Sequence, residues 1–386
     1  MARAAVYGAG VLAATGWGIG YGAPLLVPAL QRSAGWSLTA LSLAIGLQIA
    51  TSAVGSVFIV WVHRRIGLAM ATLAGTSLAA AGLLLWTHAD TMWQLAMAAM
   101  MTGLGWSSAG TAALNNILVQ ISTSDRGPTL SWVLNGVSVG GVLFAPAWGT
   151  SIARWGAPTA SAIIAVVVIT VGAAMTILFS SFDADLPAPA LRPPAQPYSN
   201  ILQLPVVGAT SCAFALAVVG AMGFFLHLPN LMGSVVDMAT AGYLMSLVTL
   251  ATLIGRPMLA RISGLHGPMR AGCIAFAQMA AGIALFGQGI NLNFALLVAA
   301  CVLFGVGLGS LNMVPALIAR THLSPSIASE AVGVMAACNQ VALACSPFVF
   351  GVILPFGGGV GACLFAICAL VSAIAVLGWG AMAMNR

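Results

Sequence analysis

Lysine is absent from this 386-residue chain. All twelve basic residues are Arg, only six residues are acidic, and charged residues make up 5% of the total. A soluble globular protein carries about 25%. So little charge cannot solvate a folded surface in water, and lipid is the solvent that remains. The 61% hydrophobic content and the mean hydropathy of +1.06 agree. The Arg residues stand singly or in pairs, which excludes the clustered basic patch of a nucleic-acid binder. Without Lys there is no Walker phosphate loop. Gly16, Gly18, Gly20 and Gly22, and Gly305, Gly307 and Gly309, lie inside apolar helical runs instead of at a strand-to-helix turn. They read as small-residue helix packing. The chain also lacks a Ser-His-Asp set, an HExxH motif and a carboxylate pair, so no enzyme, cofactor or metal is expected. The seven Cys all follow residue 211, sit in apolar segments and show neither metal nor disulfide spacing.

What is present is long apolar runs. A bilayer core of about 30 Å needs about 20 apolar residues per helix. That ruler gives twelve spans, at 4–30, 39–62, 67–87, 93–119, 128–153, 157–180, 206–232, 240–262, 270–289, 293–319, 331–353 and 359–382. The first is too long for a signal-peptide core. The runs are continuous and about twice the length of barrel strands, which excludes a β-barrel. The Pro-rich stretch FDADLPAPALRPPAQPYSN, 182–200, reads as a linker. The expected organisation is therefore an all-α membrane protein: a six-helix bundle over 1–181, a linker over 182–204 and a second six-helix bundle over 205–386.

With the N-terminus inside, Arg3, Arg64, Arg65, Arg126, Arg192, Arg261, Arg270, Arg320 and Arg386 fall on the cytoplasmic side, and only Arg32 and Arg154 fall outside. This positive-inside bias places both termini in the cytoplasm. The halves also look alike. VGSVFIVWVHRRIG from Val54 and IGRPMLARISGLHG from Ile254 put Gly55 and Gly67 at an offset of 200 from Gly255 and Gly267. Arg126 precedes Asn135 by nine residues, as Glu330 precedes Asn339.

Duplicated six-helix halves resemble the major facilitator transporters. That superfamily carries an Asp-Arg-x-Gly signature after its second span. Here Arg64-Arg65-Ile66-Gly67 keeps the Gly and one Arg, while Ser263 to Gly267 has lost both charges. Three patches resemble the monocarboxylate and oxalate porter branch: GYGAPLLVPALQRSAGWSLTALSLA from Gly20, RGPTLSWVLNGVSVGGVLFAPAWG from Arg126, and FFLHLPNLMG followed by GRPMLARISG. The resemblance implies that Arg256 on the eighth span binds a substrate carboxylate and that His227 on the seventh lines the site. Two departures stand. Animal members place a Lys near Leu25, and an Asp where this chain has Thr252.

The residues themselves support part of this. Arg256 is the only charge well inside a span, and a charge there costs at least about 2.5–3.5 kcal/mol. It either meets an anionic substrate through its planar guanidinium, or snorkels to the headgroups or bonds helix-end carbonyls. His227 either lines a cavity, binding substrate or relaying protons, or packs as a neutral side chain. Asn115, Asn116, Asn135, Asn312 and Asn339 default to bonding between helices, with Asn135 and Asn339 favoured as site residues by their matching places. Tyr21 and Tyr243 are cavity or packing residues. The expectation is a transporter, secondary active or facilitative, of small organic anions, monocarboxylates above all. It works by alternating access, with protons as candidate coupling ions. It acts as a monomer among the lipids of a bacterial inner membrane. Export of amphipathic drug-like compounds is the alternative, and a non-transporting receptor the more distant one.

Overall fold

The computed structural model describes residues 2–121, 126–182, 198–233, 235–289, 293–311 and 313–384. Asp125, Asp183, Asp185, Arg192, Asn312, Arg386 and most of the linker lie outside the described residues, as do the side chains of Arg3 and Arg126. The described residues form thirteen α-helices and one 3-10 turn, with no strand.

The first span is α1 (Ala2–Gly20) followed by α2 (Gly22–Ala34), with Tyr21 at the joint. Next comes α3 (Leu38–Trp86), whose 49 residues at about 1.5 Å each would cross a 30 Å core twice. It does so by turning at Gly67, where φ 83 and ψ 163 suit a residue without Cβ. The fourth span is α4 (Met92–Ser107) and α5 (Thr111–Ile121). Then α6 (Arg126–Phe179) holds the fifth and sixth spans and turns at Gly156, φ 79. After the turn Ser180–Phe182 and the short α7 (Tyr198–Leu202) comes the seventh span, α8 (Pro205–Met232). The eighth and ninth are α9 (Met238–His266) and α10 (Pro268–Gly289), separated by Gly267 at φ 87. The tenth is α11 (Phe294–Leu308) with α12 (Val314–His322). The last two share α13 (Pro325–Met384), which turns at Gly358, φ 61. Twelve spans result, close to the expected limits. The helices run a few residues past most of them, because helical backbone continues beyond the apolar stretch.

Among the described residues, four spans start on a side-chain cap. Ser37 Oγ accepts from Ala40 N at the head of α3, and Asp237 Oδ1 accepts from Thr240 N at the head of α9. Thr91 and Gln94 form a capping box at α4, and Asn293 Oδ1 accepts from Ala295 N at α11. These caps recur at offsets of 200 and 202.

The chain forms two compact units, residues 1–189 with 236–246, and residues 190–235 with 247–386. Within the first, α3 packs mainly on α4, and α1 on α6. Its core at the Arg64-Arg65 end gathers Leu12, Leu68, Leu114, Ile117, Val133 and Phe179. Within the second, α8 packs on α13 and α10 on α11. The close approaches repeat. A methyl at Gly82 would meet Thr102 N at 2.6 Å, and one at Gly282 would meet Phe304 N at 2.6 Å. Gly103 lies on the Gln48 carbonyl as Gly305 lies on the Val248 carbonyl. Prolines inside the long helices α6 and α13 leave carbonyls without their helical donors. Pro146 frees Val142 O, which accepts from Ser246 Oγ at 2.7 Å, and Pro347 frees Leu343 O, which accepts from Ser346 Oγ at 2.9 Å.

Candidate functional site

In the second unit, the tenth span breaks where α11 ends at the Gly309 cap. Ser310 Oγ bonds back to Gly307 O at 2.8 Å and helps turn the chain. The eighth span lies against this break. A methyl on Gly309 would meet Thr252 O at 2.8 Å and Arg256 Cγ at 3.2 Å. The stem of Arg256 therefore runs along a surface that Gly309 leaves open. Arg256 is half-buried. Pro257 next to it frees another carbonyl inside α9. Thr252, one turn before Arg256, is buried, and its hydroxyl donates to Thr249 O at 2.6 Å.

The eleventh span adds two groups. Asn339 is half-buried, and its Oδ1 is shielded from solvent with no hydrogen-bond partner. Glu330 lies in the second turn of α13 with Oε2 buried. It is the only acidic side chain within the helices of this unit among the described residues.

His227 sits elsewhere. Its Nδ1 donates to Gly223 O at 2.9 Å, and its ring stacks on Phe350 with centroids 5.7 Å apart and planes 25° from parallel. Only 1% of it is exposed. It lies five residues from the end of α8, while Arg256 lies eighteen residues into the following helix. At about 1.5 Å per residue the two differ in depth by about 20 Å. The structure thus joins Arg256 to Thr252 and the Gly309 break, and leaves His227 nearer the opposite end of the unit.

In the first unit, Tyr21 is 1% exposed at the α1–α2 joint, its ring 5.0 Å from Trp17, whereas Asn135 is exposed on α6. Tyr243 is 59% exposed. The fourth span breaks as the tenth does, with Ser108 Oγ on Gly105 O at 2.8 Å. Sequence reasoning missed two groups here. Gln48 is buried with Oε1 unpartnered, and His63 is fully buried and bonded to Asn116. Nothing near Gln48 in the sequence flags it. His63 is masked by the adjacent Arg pair, which makes it read as loop.

A sequence profile described as Major Facilitator Superfamily matches residues 6–347. No curated protein matches the chain. Among solved structures, a point mutant of the nucleoside transporter NupG is similar with a TM-score of 0.79 and 12% identity, covering 99% of this chain and 100% of that one. NupG itself gives a TM-score of 0.73 at 13% identity, covering 99% of each. A bacterial homolog of the human lysosomal transporter Spinster, inward-facing and unoccupied, gives 0.69 at 12%, covering 99% of this chain and 95% of that one. At such identities the likeness extends to the fold.

Proposed function

Because the chain belongs to the Major Facilitator Superfamily, and is a multi-pass membrane transporter by that membership, we propose that its cargo is a small organic anion, with monocarboxylates the first candidates. One observation carries this reading: Arg256 stands inside a span, with its stem held by the Gly309 break of the neighbouring span. A fixed guanidinium there offers a carboxylate two parallel hydrogen bonds. Thr252 and the Asn339 Oδ1 add polar groups to the same unit. The patches that resemble the monocarboxylate and oxalate porter branch include Arg256 and support the same cargo.

The Arg asymmetry supports cytoplasmic termini, a cytoplasmic linker at 182–204 and an inner-membrane location. Labelling of Ser199→Cys from outside intact cells would refute that topology. Tyr21 and Asn135 are the candidate site residues of the first bundle, and the working unit is a monomer. Coupling protons ride on the substrate carboxylate or pass through His227. The distance in depth between His227 and Arg256 favours the carboxylate. His227→Gln distinguishes the two, because retained proton coupling in that variant leaves the substrate as carrier.

A second reading, export of amphipathic compounds, has its own observation. An open apolar groove of about 430 Å³ runs between α8 and α13, lined by residues such as Leu216, Val219 and Phe365. A thermal-shift screen separates the two. Ligand at about 100 times its Kd stabilises by about 2.7 kcal/mol. The anion reading expects carboxylates to raise the melting temperature, their esters, amides and nucleosides to leave it unchanged, and Arg256→Gln to lose the response while still inserting. Stabilisation by amphipathic amines instead, unaltered in Arg256→Gln, would move the assignment to export.

A further inference from the structure

Among the described residues, the first unit holds one fully buried histidine, which the transport site does not use. His63 lies four residues before the Gly67 turn and is fully buried between α3 and α5. Asn116 Nδ2 donates to His63 Nδ1 at 2.8 Å. That bond makes Nδ1 the bare nitrogen and puts the ring proton on Nε2. Nε2 is itself buried and has no hydrogen-bond partner. Around the pair, Leu114, Ile117, Leu118 and Ile121 of α5 face the core, while Asn115 and Val119 are exposed on its other side. The imidazole therefore fastens the buried face of α5 to α3 in its neutral form.

A second proton breaks this arrangement. It occupies Nδ1, which then turns from acceptor to donor and confronts the Asn116 NH₂ group. The elements packed on α3 are α1, α2, α4, α5, α6 and the turn Ser180–Phe182. None of them, nor α3, carries a carboxylate among its described residues. Among the described residues the charged groups beside His63 are cations, Arg64 and Arg65. Arg32 and Arg154 stand at the other end, and Tyr7 is the remaining titratable side chain of α1. Among the described residues an imidazolium at 63 finds no anion and two like charges, so it needs water, and water reaches it only if α5 moves off α3.

We propose that His63 and Asn116 form a proton switch that loosens α5 from α3 when the Arg-rich end of the unit is acidified. Under the topology proposed above, that end faces the cytoplasm, so the switch reports cytoplasmic acidity. It needs no particular substrate. The break at Ser108–Gly110 is where the freed segment would pivot.

The test is hydrogen–deuterium exchange on the purified full-length protein in detergent, without substrate, following peptides across 111–121. Rates are corrected for the intrinsic effect of pH on exchange. Between about pH 8 and about pH 5, the range over which His titrates, wild-type exchange in this segment is expected to rise about tenfold. In His63→Gln it stays flat, because the amide keeps a bond to Asn116 and does not titrate. In Asn116→Asp the rise is lost for the opposite reason: the carboxylate accepts from the charged ring and holds it in place. No rise in wild type, or an undiminished rise in either variant, overturns the switch. Asn116→Asp decides the matter alone should His63→Gln fail to fold. Since no cargo is present, a failure here leaves the anion reading standing, and a failed carboxylate screen leaves the switch standing.

Discussion

The two halves of this chain share a skeleton and differ in chemistry. Ser37 and Asp237 cap the second and eighth spans through the residue three positions on. Gly82 and Gly282 bring the third and ninth spans so close to the backbone of the fourth and tenth that a methyl on either would meet a backbone nitrogen at 2.6 Å. Ser108 and Ser310 turn back on Gly105 and Gly307 at the same 2.8 Å. At the same offset of 200, however, Ser56 stands opposite Arg256, and His63 opposite Ser263. Close packing tolerates little change, because a methyl against a backbone atom has nowhere to go. Polar side chains at the ends of the same helices answer to function and are free to differ. The first half uses a buried histidine to hold α5 on α3, and the second places a cation beside its helix break and leaves it half-buried.

The contrast is broken most severely at its chemical pole. Arg256→Gln is expected to weaken anion binding by about 2–5 kcal/mol, at least about thirtyfold in affinity, whereas Ser56→Ala should change it by about twofold or less. Equal losses measured in carboxylate uptake would mean that the halves are not chemically distinct. Arg256→Lys should fall between, since it keeps the charge and loses the fork.

The shared skeleton gives smaller and matched effects. Gly82→Ala and Gly282→Ala should each destabilise by about 1–3 kcal/mol, read as similar drops in melting temperature. Gly287→Ala, where nothing lies within 4 Å, should be neutral or stabilising by up to about 1 kcal/mol. A drop in one half alone would argue against equivalent packing. Gly67→Ala and Gly267→Ala, both forcing a Cβ to positive φ, should each cost about 1–2 kcal/mol.

The smallest effect sharpens the comparison by pH. Ser37→Ala and Asp237→Ala each remove a cap worth about 1 kcal/mol. The Thr240 hydroxyl, and after it the Thr240 N–H, hold the Asp237 carboxyl below its usual range. A depressed folded value means that the contribution is complete above the unfolded carboxylate value of about 3.9 and is lost as pH falls through the folded value. Melting measured down that range should therefore bring wild type and Asp237→Ala together, while the gap left by Ser37→Ala stays constant.

Twelve spans were legible because hydropathy and helix length share one ruler, and the turns at Gly67, Gly156 and Gly358 fall where the apolar runs pause. The breaks inside the fourth and tenth spans were not legible. Ser-Ser-Ala-Gly and Gly-Ser-Leu-Asn are small and nearly apolar, so the runs 93–119 and 293–319 read as unbroken. The offset of 200 between Gly55 and Gly255 was visible, but the carbonyls these notches accommodate belong to other helices and leave no local trace. Arg256 was visible as a charge in an apolar run. Its support by Gly309 was not, since that pairing spans 53 positions, and the difference in depth from His227 needed the helices laid out.

The two proline carbonyls have different histories in time. Leu343 finds its donor in Ser346, three residues on, and emerges from the ribosome with its partner following at once. Val142 depends on Ser246, 104 residues later. At about 5–20 residues per second, the ribosome takes about 5–20 seconds to reach that serine. For that interval the fifth span sits in or beside the insertion machinery with an acceptor that its own helix cannot satisfy. The nascent first bundle therefore stays incomplete until the start of the eighth span arrives, and a ribosome halted in the linker would leave it one hydrogen bond short.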